Sequence, residues 1–407
     1  MKHAAARKRR KKTRLLAKVG VIAGISTGWL WSGTSLALVF SIVQITSFDS
    51  CSRNPSLNKD GSRMAFLSEG NPTGNNADGN REIFVWTRST GGFTQVTNST
   101  GCCNNAPVIS AKNDRVVFTS NLDLIVGNNV DGGEELFLWD SKTDLKQLTN
   151  DTSGNCCIRD PSITGDAKRI AFESNLDLTG NNADGNEEIF LWDDKAGLSQ
   201  LTNTTNAGSF DPAISSDALR IAFVSNADFV GKNTDGNFEI FLWDNKAGFS
   251  QLTNALLGDS IFPAINAEGK RVAFVSWADL IGENADGNDE VFLWDSKTGL
   301  RQLTHSTIEE GTNTDPAISA DGNRVAFASD VNLVGSNADR NQEIFLWDSV
   351  AGLSQVTNTA DNEEERIDNF EPSIDKNGDV IAYTVERADS SSENNSQEIF
   401  LSDVARK

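Results

Sequence analysis

Three stretches of the chain carry oxygen-bearing side chains at a spacing that a hard metal ion could use. The first holds Asp177, Asn182, Asp184, Asn186 and Glu188, the second Asp228, Asn233, Asp235, Asn237 and Glu239, and the third Asp279, Asn284, Asp286, Asn288 and Glu290. Each includes a glycine (Gly185, Gly236 or Gly287) that permits a sharp turn. Ca²⁺ takes about 6–8 oxygens from flexible loops, so these fifteen residues are candidate Ca²⁺ ligands. Asp and Asn beside Gly are also the residue types that build Asx turns, and a hairpin would use them with no metal at all. The turn reading accounts for Asp-Gly-Asn; the upstream Asp and downstream Glu speak for the metal. Related stretches elsewhere are degraded, with Asn71 and Asn332 in place of the upstream Asp.

Five cysteines, Cys51, Cys102, Cys103, Cys156 and Cys157, lie four or five residues before Pro55, Pro107 and Pro161. Their equivalent positions predict a cluster. In an oxidising compartment the expected pairs are Cys51–Cys102 and Cys103–Cys156, with Cys157 left over. Thiolate metal binding ranks below this, since neither CxxC spacing nor histidine supports it.

Catalytic residue types are scarce. The chain has two histidines, His3 and His305, and a single tyrosine, Tyr383. Gly24-Ile25-Ser26-Thr27-Gly28 has the pattern of a nucleophile elbow but falls in an apolar leader. Carboxylates abound, so a carboxylate-dependent glycoside hydrolase or lyase stays open as the alternative to a binding protein.

The elements that hold these residues are repeats. Four short signatures recur seven times. Signature A is a proline with a following apolar pair (Pro55, Pro107, Pro161, Pro212, Pro263, Pro316, Pro372), and B is a strand such as Arg169-Ile170-Ala171-Phe172. C is a strand such as Glu188-Ile189-Phe190-Leu191-Trp192-Asp193, and D is Gln, an aliphatic and Thr, as in Gln200-Leu201-Thr202. The B aromatics are 51 to 56 residues apart. Four short strands per unit, apolar on both faces and separated by Gly, Asp and Asn turns, suit sheets packed face to face around an axis. The order of signatures predicts closure. The chain opens with a lone D strand (Ile42-Val43-Gln44-Ile45-Thr46), runs through six ABCD sets and ends with A, B and C. The spare strand can complete the last unit and remove two open edges. The expected fold is an all-β, seven-bladed β-propeller over residues 38–407.

Residues 1–37 read as a signal peptide. Nine basic residues and no acid occupy the first 18 positions, an apolar run follows from Val19 to Trp31, and small residues precede a cleavage point after Ala37. An uncleaved anchor is the rival reading; in either case the repeats are expected in the periplasm or outside the cell. Without the first 18 residues the chain has 27 basic and 57 acidic residues, a net of −30. Such a surface repels nucleic acid and anionic lipid, and membrane contact is expected only through an uncleaved leader.

The run from Asp211 to Asn254, with Asp211-Pro212-Ala213-Ile214, Arg220-Ile221-Ala222-Phe223, Glu239-Ile240-Phe241-Leu242-Trp243-Asp244 and Gln251-Leu252-Thr253-Asn254, resembles the WD40-like (PD40) propeller repeats of the TolB-like family. The resemblance covers nearly all of residues 38–407 and implies the propeller fold. Two departures limit it: TolB carries an α/β domain before its propeller and resembles a six-bladed ring, so a role in the Tol–Pal system does not carry over. Within a propeller, the Trp ending each C strand (Trp192 and its equivalents) is expected between blades, stacked on the Arg that begins strand B. D–A and B–C loops should share one face. The functional expectation is a non-enzymatic scaffold for a protein or polysaccharide, stabilised by Ca²⁺ in the acidic loops. The alternative is a hydrolase or lyase with carboxylates at fixed separation in the central channel.

Overall fold

A computed structural model describes residues 37–406 apart from short stretches at 48–49, 102, 113–114, 153–156, 308–310, 362–364 and 390–394. It contains seven sheets of four antiparallel strands and, among the described residues, no helix. Blade 3 runs Ile158–Ile163 (A), Arg169–Ser174 (B), Glu188–Asp193 (C) and Gly197–Gln200 (D). Blade 4 runs Ser209–Ile214, Arg220–Ser225, Glu239–Asp244 and Gly248–Gln251. The A strands contact one another in sequence around the ring, including the last (Glu365–Ile374) with the first (Ser52–Leu57), so they form the inner wall.

Closure follows the sequence expectation. The N-terminal strand Leu38–Gln44 pairs antiparallel with the C strand of blade 7, Ser396–Arg406, with Val43 opposite Leu401 and Gln44 opposite Phe400. The threonine of signature D explains why that strand fits. In blades 1 to 6, Thr97, Thr149, Thr202, Thr253, Thr304 and Thr357 accept the N–H of the second residue of strand C at 2.8–2.9 Å. Thr46 does the same for Ile399 at 2.8 Å and donates to the Glu398 carboxylate, restoring across the chain ends what the other blades make within one segment. The glutamate of signature C, first in strand C of blades 1 to 6 and third in that of blade 7 (Glu398), is buried in all seven blades. In blades 1 to 6 it accepts the N–H of the residue two beyond that threonine, as Glu188 does from Thr204 at 2.5 Å, and so anchors the D–A loop.

Seven hydrophobic clusters occupy the seven blade interfaces. The closing one joins Met64, Phe66, Phe84 and Trp86 of blade 1 to Val380, Ala382, Ile399 and Leu401 of blade 7. The B and C aromatics stack in every blade, with ring centroids 5.7–6.1 Å apart. The tryptophans pack between blades as expected, but the Arg–Trp stack does not form. Arg169 lies opposite Asp193, while Trp192 lies opposite Ile170. Adjacent strand residues point to opposite faces of a sheet, so Arg and Trp are separated by the sheet itself. Arg115, Arg169, Arg220, Arg271 and Arg324 instead donate from Nε to Asp140, Asp193, Asp244, Asp295 and Asp348 at 2.5–2.8 Å. Strand D of the preceding blade supplies the cation over two of the indoles: Lys146 over Trp192 at 5.0 Å and Arg301 over Trp347 at 5.2 Å.

Candidate functional site

The proline of signature A has a structural role beyond ending a turn. Every A strand bulges at the proline and the residue before it, and both drop out of the pairing register with strand B. Proline lacks an N–H and suits the unpaired place. The preceding residue takes a left-handed φ of 47–55° in all seven blades, at Asn54, Ala106, Asp160, Asp211, Phe262, Asp315 and Glu371. A non-glycine residue there is strained. Because Ala106 and Phe262 share the geometry with the acids, the strain belongs to the architecture; chemistry lies in which side chain each blade presents on the inner wall.

Four of the seven present carboxylates, and two of these converge with a third acid from strand B. Asp160, Glu173 and Asp211 each place a carboxylate oxygen within 4.8 Å of the other two. Glu173 is 4% exposed. The same position in strand B is Leu67, Thr119, Val224, Val275, Ala328 and Thr384 in the other blades. One Glu173 oxygen accepts the Asp211 N–H at 2.8 Å. None of the three makes an ion pair among the described residues, and the Arg159 guanidinium beside them donates to Cys157 Sγ at 3.3 Å. Burial, then repulsion from Asp160, pushes the Glu173 carboxyl up to about 8. Burial, then Asp160 and Asp315, pushes Asp211 up to about 6. Asp160 is raised too, chiefly by burial, since it opens to the channel but is otherwise enclosed by protein.

Such a cluster can hold a proton between carboxylates or coordinate a divalent cation. Two oxygens bound to one Ca²⁺ at 2.3–2.6 Å lie at most about 5 Å apart, so three oxygens within 4.8 Å fit one coordination sphere. Glu173 had a sequence signal, an acid in one strand B where six others carry apolar or hydroxyl side chains. The repeated loops drew the reading elsewhere.

The loop residues sit differently. Asp177 accepts the Asn182 N–H at 2.8 Å, Asp228 those of Lys232 and Asn233 at 2.7 and 3.1 Å, and Asp279 that of Asn284 at 3.0 Å, each a turn contact. Asn182, Asn233 and Asn284 donate from Nδ2 to the carbonyls of Asn186, Asn237 and Asn288 at 2.9 Å. Asn186 and Asn237 donate onward into the D–A loop, to Thr204 and Ala207 and to Ala255 and Gly258, which places B–C and D–A loops on one face. Asn288 donates to Ser306 Oγ at 2.6 Å. Glu188, Glu239 and Glu290 are turned into their blades, while Asp184, Asp235 and Asp286 are exposed at the tips. Among the described residues, the channel trio is the one group of three or more His, Cys, Asp or Glu ligand atoms within 4.8 Å.

A groove of about 660 Å³ opens on the loop face between blades 3 and 4, lined by Asn203, Thr204, Asp228, Asn233 and Asp235 among others. The most exposed large aliphatic side chains among the described residues, Val126, Val130, Leu256 and Leu257, lie on loops of this same face. Cys51 is a free thiol donating to the Asn395 carbonyl at 3.6 Å. Both expected disulfides have a partner, Cys102 or Cys156, outside the described residues, and residues 1–36 of the expected signal peptide lie outside them as well.

These features define a seven-bladed propeller with an acidic inner wall and a grooved loop face. No protein-family model matches the chain, and no curated protein matches it. Solved structures do. An oligogalacturonate lyase from Vibrio parahaemolyticus is 13% identical, with 95% of this chain and 98% of that one covered and a TM-score of 0.58. The β-propeller domain of the Trilobed protease from Pyrococcus furiosus is 10% identical over 88% and 98%, with a TM-score of 0.56. That propeller is described as having an open velcro topology, whereas this ring is closed by its N-terminal strand. TolB from Acinetobacter baumannii is 15% identical over 86% and 79%, with a TM-score of 0.43. At these identities the likeness is one of fold.

Proposed function

We propose that the protein is a non-enzymatic binding propeller working outside the cytoplasm, with a polysaccharide or protein ligand seated on its loop face at blades 3 and 4. The observation that carries this reading is the polar groove between those blades on a face that also bears four highly exposed aliphatic tips. Exposed apolar patches rimmed by polar residues mark interaction surfaces, and the tips lie on the loops of blade 2 and of the blade 4–5 connection that flank this part of the face. The basic, apolar and small-residue leader supports the location. Strand A runs from the loop face and strand B runs toward it. Asp211 and Glu173 therefore lie within a few residues of the grooved surface.

A second reading, a carboxylate-dependent hydrolase or lyase, is favoured by one observation: carboxylate oxygens of Asp160, Glu173 and Asp211 lie within 4.8 Å of one another around a buried Glu173, whose carboxyl is pushed up by burial, as a general acid requires. Affinity electrophoresis against a panel of neutral and uronic-acid polysaccharides, oligogalacturonate included, separates the two. The binding reading expects retarded migration with no new reducing ends and no unsaturated uronate absorbance. Product formation that disappears in Asp211→Asn would establish the enzyme instead.

A further inference from the structure

We propose that Asp160, Glu173 and Asp211 form a divalent-cation site on the channel wall. The inference goes beyond the binding reading, whose ligand sits on the loop face. Its first support is the mutual approach of three carboxylate oxygens from two neighbouring blades within 4.8 Å. Acidic clusters are common without ions, and the second support is Glu173 itself. It is 4% exposed, and the one hydrogen bond its carboxylate makes among the described residues is from the Asp211 N–H to Oε2. Among the described residues no lysine or arginine pairs with any member of the trio, although the ring makes Arg–Asp pairs freely between strands B and C. A buried carboxylate held against two others is expensive in free energy, because burial and like charge both disfavour ionisation, and the nearby Arg159 guanidinium offsets this only in part, without forming an ion pair. Six blades avoid the problem by carrying Leu, Thr, Val or Ala at this position. Blade 3 does not.

The donor set selects the ion. Three carboxylates with no sulfur or nitrogen suit a hard cation such as Ca²⁺ or Mn²⁺. Three protein ligands leave part of a sphere of about 6–8 open. Asp160 is exposed to the lumen, so the open positions face the channel. A propeller this acidic can hold a carboxylated ligand through such an ion, which its own charge would otherwise repel.

Calorimetric titration of the purified, chelator-treated protein with Ca²⁺, and separately with Mn²⁺, tests the site without any polysaccharide. One saturable site is expected for at least one ion. It should be lost in Glu173→Val, which installs the residue of blades 4 and 5, and weakened at least tenfold in Asp160→Asn. Asp279→Asn, in a blade-5 loop, should bind as the parent does. An unchanged or raised melting temperature of metal-free Glu173→Val shows that lost binding is not lost folding. Absence of saturable binding of either ion, binding unaffected by Glu173→Val, or binding abolished by Asp279→Asn would each overturn the assignment. None of these results bears on whether the loop face retards a polysaccharide, so the two readings fail separately.

Discussion

Arg169 and Arg324 begin strand B in two blades and make the same bond, yet their surroundings give them different weight. The Arg169 side chain is 38% exposed, and its pair with Asp193 is screened by water. Arg324 is 6% exposed and Asp348 wholly buried, with Arg406 and Asp379 completing the network at 2.8 and 2.6 Å. Burial alone would raise the Asp348 carboxyl, but the N–H groups of Ala351 and Val350 together with Arg324 and Arg406 hold it well below the usual range. Removing one partner from a buried pair strands the other, at about 3–5 kcal/mol, whereas an exposed pair contributes about 1 kcal/mol or less. Urea unfolding should therefore find Arg324→Ala destabilised several-fold more than Arg169→Ala; equal losses would show that Arg406 alone satisfies Asp348. At this scale the sequence was half legible. The recurrence of Arg and Trp marked both as structural, but pairing them with each other missed the Asp beside the Trp, because the true partner depends on register and a one-residue difference in register exchanges the two faces of a sheet. Glu173 could be found only by asking which blade breaks its own repeat, because a buried acid has no periodic signature.

At the scale of the element, the D strand is defined by its threonine. Thr202 and Thr46 make the same bond to the second N–H of strand C, one within a continuous blade and one across the chain ends. Replacing either with Val leaves a buried N–H unsatisfied, at about 1–3 kcal/mol. Thr46→Val and Thr202→Val should thus lower stability by similar amounts in urea, and a much smaller loss for Thr46→Val would mean that the closing strand frays. The glutamate at the start of strand C adds a pH dependence. Burial pushes the Glu343 carboxyl up to about 7, only partly offset by the hydroxyls of Thr357 and Thr359. A carboxyl raised on folding binds its proton more tightly in the folded chain, so its contribution is complete below about pH 4.5 and is lost as pH rises through 7. The melting temperature should fall between about pH 4.5 and pH 7 and level off above that, and the fall should be smaller in Glu343→Gln even though that variant forfeits an acceptor. An identical slope in both proteins would place the titration elsewhere. The strands, their order and the spare D strand were legible because each rests on a local pattern repeated seven times. The bulge was not: proline showed where pairing stops, but the left-handed residue before it runs against the extended backbone that a residue preceding proline ordinarily takes.

At the scale of the whole molecule, closure changes how stability is distributed. An open array of repeats unfolds from its ends, since terminal units have one neighbour and internal units two. Here the seventh interface, between blades 7 and 1, has a hydrophobic cluster like the other six, so no blade is terminal. Opening any blade of the closed ring breaks two interfaces at once, and partial unfolding has no inexpensive starting point. Deleting residues 38–46 removes the strand paired with Ser396–Arg406, the bond from Thr46 to Glu398, and the packing of Leu38 and Phe40 in the blade 6–7 cluster and of Ile45 in the blade 7–1 cluster. Blades 7 and 1 should then act as ends. Calorimetric and van't Hoff enthalpies should agree for the closed ring, and the calorimetric value should exceed the other in the deletion variant as unfolding spreads into steps. A single sharp transition in both would mean that the inter-blade clusters alone make the ring cooperative and that the N-terminal strand contributes only the local stability of the sheet it completes.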